Sequence, residues 1–144
     1  MTDTFLLAVD GSEPAGRAAE FAKMRAKAGK ARIVVAYVIE WSPYSFNTPE
    51  ENAERHKRRE EEIAKAKNQV LDPVVAALKG EGLEVEGEVR HGHAAEVLSA
   101  MAGEKGACQI FIGRRGLSKM KAMLFGSVAG SLVQVSPVPV TVVP

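Results

Sequence analysis

Short apolar runs alternate with segments of helical spacing along the whole chain. "TFLLAV" at 4–9 has no polar interruption after Thr4 and predicts a strand buried on both faces. Across 13–28, Ala15, Ala18, Ala19, Ala22 and Ala26 recur at helical spacing, with Pro14 suited to the first turn and Gly29 to the stop. "RIVVAYVI" at 32–39 is rich in β-branched residues and predicts a second strand. Residues 40–49, "EWSPYSFNTP", read as a loop carrying Trp41, Tyr44 and Phe46, either a lid, a partner contact or local packing. A charged helix follows. Glu51 with Arg55 and Glu54 with Arg58 support it at i,i+4, and Ile63, Val70, Val74 and Leu78 share one face further on. Pro73 should kink or restart this helix, with Asp72 as a cap.

"LEVEGEV" at 83–89 alternates strictly. Leu83, Val85, Gly87 and Val89 fall on one face and the glutamates on the other, as in an edge strand with one wet side. Ala94, Val97, Leu98, Met101 and Ala102 make a short amphipathic helix. "ACQIFIG" at 107–113 predicts a fourth strand, 127–135 a helix, and "VPVTVVP" at 138–144 a fifth strand. Strand and helix therefore alternate from end to end. That order predicts an α/β fold: one domain over 1–144, a parallel sheet, helices on both faces and right-handed crossovers.

Composition narrows the partners more than the fold. A chain of 144 residues with 46% hydrophobic and 26% charged residues is of single-domain size and ordinary globular make-up. A formal charge of +1 gives no electrostatic reason to expect nucleic acid or a membrane surface. Cys108, the single cysteine, excludes an intrachain disulfide and fits a reducing compartment. Its place at the start of an apolar strand predicts a buried, inert thiol. The N-terminus lacks a basic region before its short apolar run, and no stretch approaches the roughly 20 apolar residues of a membrane span. A cytoplasmic location is the expectation.

In an open α/β sheet, ligands bind beyond the carboxyl ends of the strands, where the strand order reverses. Two loops there carry candidate chemistry. One is Asp10-Gly11-Ser12 after the first strand; its carboxylate suits ribose hydroxyls or a turn equally. The other is "GRRGLSKMKAMLFGS" at 113–127, with Gly113, Gly116 and Gly126 and the basic Arg114, Arg115, Lys119 and Lys121. Glycines allow close backbone approach, and Gly126 precedes a helix start where Ser127 can be the N-cap. Spacing alone leaves two readings open, a phosphate cradle and a solvated loop with turn glycines. The loop is neither a Walker A nor a dinucleotide G-x-G-x-x-G motif. His91 and His93 have no third ligand at usable spacing, so no metal site is assigned.

Gly113, two residues, Gly116, nine residues, Gly126-Ser127 resembles the G-2x-G-9x-G-[S/T] motif of the ATP-binding branch of the universal stress protein family. "VDGS" at 9–12 and "SPVPVTVV" at 136–143 extend the resemblance over the chain. It implies a Rossmann-like, five-stranded parallel sheet in the order 3-2-1-4-5. It also implies ATP, accompanied by Mg²⁺ or Mn²⁺, held by Ala8, Val9, Asp10, Ser12, Val38, Gly113, Arg114, Gly116, Gly126, Ser127 and Val128. In that assignment Asp10 and Val38 lie near adenine and ribose, and Gly113 near ribose and α-phosphate. Gly116, Gly126, Ser127 and Val128 hold the phosphates, largely through backbone. The family arrangement further implies a homodimer through strand 138–143, which is uncharged and would otherwise be a bare edge. A stress-linked sensor or regulator with at most slow ATP hydrolysis is the implied role, since no second acid or general base stands out. The alternatives are a dimeric interaction module without nucleotide, and a nucleotide hydrolase or transferase. Two departures from the family pattern are Gly92-His93-Ala94, where Gly-Asp-Pro is common, and Arg114, where a small residue is common.

Overall fold

Residues 2–40, 49–116 and 126–144 are described by the computed structural model. Trp41, Tyr44, Phe46, Lys119 and Lys121 lie outside these residues. In chain order the elements are β1 (Thr4–Ala8), α1 (Glu13–Gly29), β2 (Arg32–Ile39), α2 (Pro49–Ala66), a π-helical turn (Lys67–Leu71), α3 (Asp72–Gly80), β3 (Val85–His91), α4 (Ala94–Lys105), β4 (Gln109–Gly113), α5 (Ser127–Val135) and β5 (Val140–Val143). The five strands form one parallel sheet in the order β3-β2-β1-β4-β5. The reversal of strand order thus falls between β1 and β4, whose carboxyl ends carry the two candidate loops.

Side chains alternate across a strand, so β1, β2 and β4 each supply two cores. Phe5, Leu7, Ile33, Val35 and Phe111 face α1 and α3. Leu6, Ala8, Val34, Ala36, Ile110 and Ile112 face α4 and α5. Alanines 15, 18, 22 and 26 form the buried stripe of α1, and their small size lets the helix lie close to the sheet. Phe111 packs against Phe5 and Phe21 with ring centroids 5.0 and 5.9 Å away. On β3 the predicted alternation holds. Val85 is buried, while Glu86, Glu88 and Arg90 join Arg32, Glu104 and Lys105 in ion pairs across the opposite face.

Several local expectations are corrected. Gly29 stays inside α1. Lys30 takes the left-handed C-cap conformation at φ 56° and donates its N–H to the Ala26 carbonyl. Asp72 is not a cap, because the helix does not stop before it. The backbone passes through the π turn, and Leu71 stands at the start of α3 with αR geometry and Pro73 in the first turn. The extra residue of the turn brings Leu71 to 2% exposure. Leu71 and Val75 then fill the space that a side chain at Gly87 would need; a Cβ there would lie 2.7 Å from Val75 Cγ2. Cys108 is exposed rather than buried, since β4 begins one residue later. Most described residues in the first half of α2 are exposed, and it carries the Glu54–Arg58 pair at 3.6 Å, with His56–Glu60 beside it at 3.1 Å.

Candidate functional site

β1 ends at Ala8, and Val9 extends its pairing by donating to the Ala36 carbonyl. The chain then turns sharply through Gly11 at φ +83°. Ser12 N–H donates to Asp10 Oδ1 at 2.9 Å, and Ser12 Oγ accepts from Ala15 N–H at 3.3 Å. Ser12 is therefore the N-cap of α1, and Asp10 has one carboxylate oxygen committed to the turn and one turned toward the loop after β4.

That loop is pinned at its base. Arg114 N–H donates to the Val143 carbonyl at 2.6 Å, and the Arg114 carbonyl accepts from Gly126 N–H at 2.7 Å. Each glycine of the motif sits where another piece of the protein crosses it. A Cβ on Gly113 would lie 2.7 Å from the Pro14 carbonyl carbon, one on Gly116 2.7 Å from Asp10 Oδ2, and one on Gly126 3.2 Å from Gly116 N. The glycine spacing is thus required by packing of the loop on α1, on Asp10 and on itself, whatever the loop goes on to hold.

Between the two loops lies a cavity of about 190 Å³. That is smaller than the roughly 300–1,000 Å³ usual for enclosing a whole small-molecule ligand, so part of such a ligand would lie outside it. Ala8, Ala36, Val38 and Ile112 form its floor, and Ala94 and Leu98 of α4 one wall. Val9, Ala15 and Gly113 close the side toward α1. Asp10, Arg114, Arg115 and Gly116 stand at the rim, and Gly126, Ser127, Val128 and Ala129 bring in the start of α5. Of the eleven residues expected at a nucleotide site, only Ser12 is not on the cavity surface; it caps α1 instead.

The cavity exists because its facing positions are small. Ala8 pairs with Ala36 in register across β1 and β2, and Ala94 sits above them. Ala15, Ala36, Ala94, Leu98, Ile112 and Ala129 were not anticipated, and Arg115 was expected only as local positive charge. A signal for two of them was present: Ala36 lies two residues before Val38 on the same strand face, and Leu98 follows Ala94 by one helical turn.

The polar groups are sorted by kind. Gly126, with φ −65° and ψ 160°, is the N-cap of α5, and no side chain caps the helix; Ser127 is its first residue, not the cap. Since Gly130 is the first residue to bond back to the cap carbonyl, the N–H groups of Ser127, Val128 and Ala129 have no partner within the helix. Donors and the positive end of the helix dipole therefore face the cavity from α5, while the Asp10 carboxylate faces it from β1. Beyond the rim, burial first, and then the charges of Asp10 and Glu62, hold the Tyr37 hydroxyl above its ordinary range, so it stays protonated. At the start of α4 the Glu40 carboxylate accepts from Ala94 N–H at 3.0 Å, and His93 makes no side-chain cap. Among the described residues, no three His, Cys, Asp or Glu side chains cluster as metal ligands. None of their helices is long and apolar enough to cross a membrane.

Comparisons with known proteins agree with this architecture. A family model described as the universal stress protein family matches residues 1–144. A relative from Thermus aquaticus, the universal stress protein in QAH/OAS sulfhydrylase 3'region, is 37% identical over 146 residues, covering 99% of each chain. Among solved structures, universal stress protein UspA from Lactobacillus plantarum superposes with a TM-score of 0.86 at 22% identity, over 99% of this chain and 97% of that one. A universal stress protein in complex with cAMP matches at 0.70 and 22% identity, over 99% and 97%. One from Archaeoglobus fulgidus in complex with dAMP matches at 0.64 and 21%, over 100% and 98%. The full-length family match and the close relative, on a fold with this strand order, establish that the chain belongs to the universal stress protein family.

Proposed function

We propose that the cavity between β1, β4 and α5 holds an adenine nucleotide, ATP first among them, and that the protein works as a nucleotide-responsive regulator in a stress response. The opposed polarity of the cavity carries this reading. Asp10 offers an acceptor where ribose hydroxyls would donate. The N–H groups at the start of α5, which have no partner within the helix, offer donors where phosphate oxygens would accept. The small apolar floor between them suits the flat face of a base. The cAMP and dAMP complexes of two structural neighbours support the same ligand class.

Mg²⁺ or Mn²⁺ would arrive with the nucleotide. Asp10 is the one carboxylate among the lining residues, and Mg²⁺ commonly takes one or two carboxylates plus phosphate oxygens and water. The ion would neutralise phosphate charge. The same single carboxylate limits the proposal to binding with at most slow hydrolysis, because no second group on the described wall is placed to activate water.

The regulator acts as a homodimer joined through 138–143. Pro139 gives its carbonyl to Ile110 N–H, so odd-numbered residues of β5 face β4, and Val140 and Val142 turn their N–H and C=O to the free edge. The donor missing from Pro139 therefore faces β4, not the outside.

Thermal melting with and without Mg-ATP tests the binding. A site held at 100 times its dissociation constant adds about 2.7 kcal/mol of stability. Gly126→Val, which forces the loop away from α5, should abolish the shift. A wild-type protein whose melting is unmoved by Mg-ATP, and which gives no heat on titration, sinks the proposal. Incubation with radiolabelled ATP over hours then measures turnover.

A further inference from the structure

Two arginines follow Gly113, and the structure treats them differently. Arg114 is exposed, with its backbone tied to Val143. Arg115 is half-buried on the cavity surface, and its Nε–H is buried with no hydrogen-bond partner among the described residues. A charged donor shut away from water without an acceptor is costly, and native proteins seldom leave one so. Asp10, the one carboxylate on the same surface, commits an oxygen to Ser12 N–H. The Arg115 backbone lies against the start of α5: a Cβ on Gly126 would lie 3.3 Å from Arg115 Cα, and the preceding carbonyl, that of Arg114, accepts from Gly126 N–H at 2.7 Å. Arg115 and the N–H groups at the start of α5, which have no partner within their helix, thus come from two elements to line one cavity. The ligand group that satisfies both is a multi-oxygen anion, and a phosphate accepts from a guanidinium and from backbone N–H together.

We propose that the Arg115 guanidinium, and not that of Arg114, takes a phosphate oxygen of the cavity's ligand, and so decides between phosphorylated and unphosphorylated nucleosides. This rests on the nucleotide reading above for the nucleoside part and on the cavity alone for the phosphate part.

Calorimetric titration with adenosine, AMP, ATP and inorganic pyrophosphate separates the two parts. The variants are Arg115→Gln, Arg115→Lys and Arg114→Gln. Arg115→Gln should weaken AMP, ATP and pyrophosphate by about 10- to 100-fold, the span of a charge-assisted hydrogen bond, and leave adenosine within about twofold. Arg115→Lys should recover part of the loss, and Arg114→Gln should weaken the phosphorylated ligands less than Arg115→Gln does. Because Nε has no partner among the described residues, Arg115→Gln should melt at or above the wild-type temperature.

Equal losses for adenosine and AMP, a larger loss from Arg114→Gln, or a melting temperature several degrees lower in Arg115→Gln would each overturn the assignment. Pyrophosphate bound through Arg115 with no adenine nucleotide bound would remove the nucleotide reading and keep this one. Tight ATP binding indifferent to Arg115→Gln would do the reverse. No binding of any of the four would remove both.

Discussion

Gly113 and Lys30 show how much one backbone position can decide. Gly113 is crossed by the first turn of α1, with the Pro14 backbone where its side chain would be. Gly113→Ala should cost about 1–3 kcal/mol in denaturant unfolding, because backbone cannot yield as a flexible side chain can. Lys30 is the reverse case. It is the one non-glycine residue with positive φ among the described residues. Lys30→Gly should raise stability by about 0.5–1 kcal/mol, the left-handed strain released less the entropy glycine adds to the unfolded chain. The sequence displayed the glycine spacing clearly but not its cause, since Pro14 and Asp10 are distant in sequence and meet the loop only after the sheet has formed. It also pointed to the wrong C-cap, because Gly29 satisfies the composition of a cap while one more residue of helix brings Lys30 to the turn.

Elements were legible wherever period and burial agree. β2 and α5 match their expected bounds, and the alternation of β3 identified both its edge position and its wet face. The π turn was not legible. Pro73 signals a break in any helix, and only the missing side chain at Gly87, on another element, explains why Leu71 and Val75 are drawn in by an extra residue instead. The turn after α3 is clipped to α1 by charge. Lys27 lies 3.0 Å from Glu81, and its hydrogen bond first, then its charge, hold the Glu81 carboxyl below the ordinary 4.5. A carboxyl depressed on folding contributes stability above its unfolded value and loses it as the pH falls through the folded one. Glu81→Gln should therefore lower the melting temperature slightly at pH 7, and the difference from wild type should vanish as the pH falls through the folded value. A gap that stayed constant down to that pH would mean the clip is packing, not charge.

At the scale of the molecule, the two edges of the sheet are finished differently. β3 carries Glu86, Glu88 and Arg90 in a mesh of ion pairs, whereas every residue of β5 is uncharged and partly exposed. Val133 and Val135 of α5 are also exposed, at 49% and 55%. Composition hinted at this asymmetry, and the strand order made it spatial. If copies pair through β5, Val142→Pro should yield monomers by sedimentation while leaving the fold intact, because it deletes a donor on the free side and none on the β4 side. A dimer that persists in this variant would have to use another surface. The mesh on β3 then matters for what does not form. A parallel sheet with two receptive edges has a valency of two and can polymerise without limit. If the charges of β3 keep other strands off that edge and pairing is confined to β5, the valency is one, and assembly through strands would end at a pair however concentrated the protein becomes.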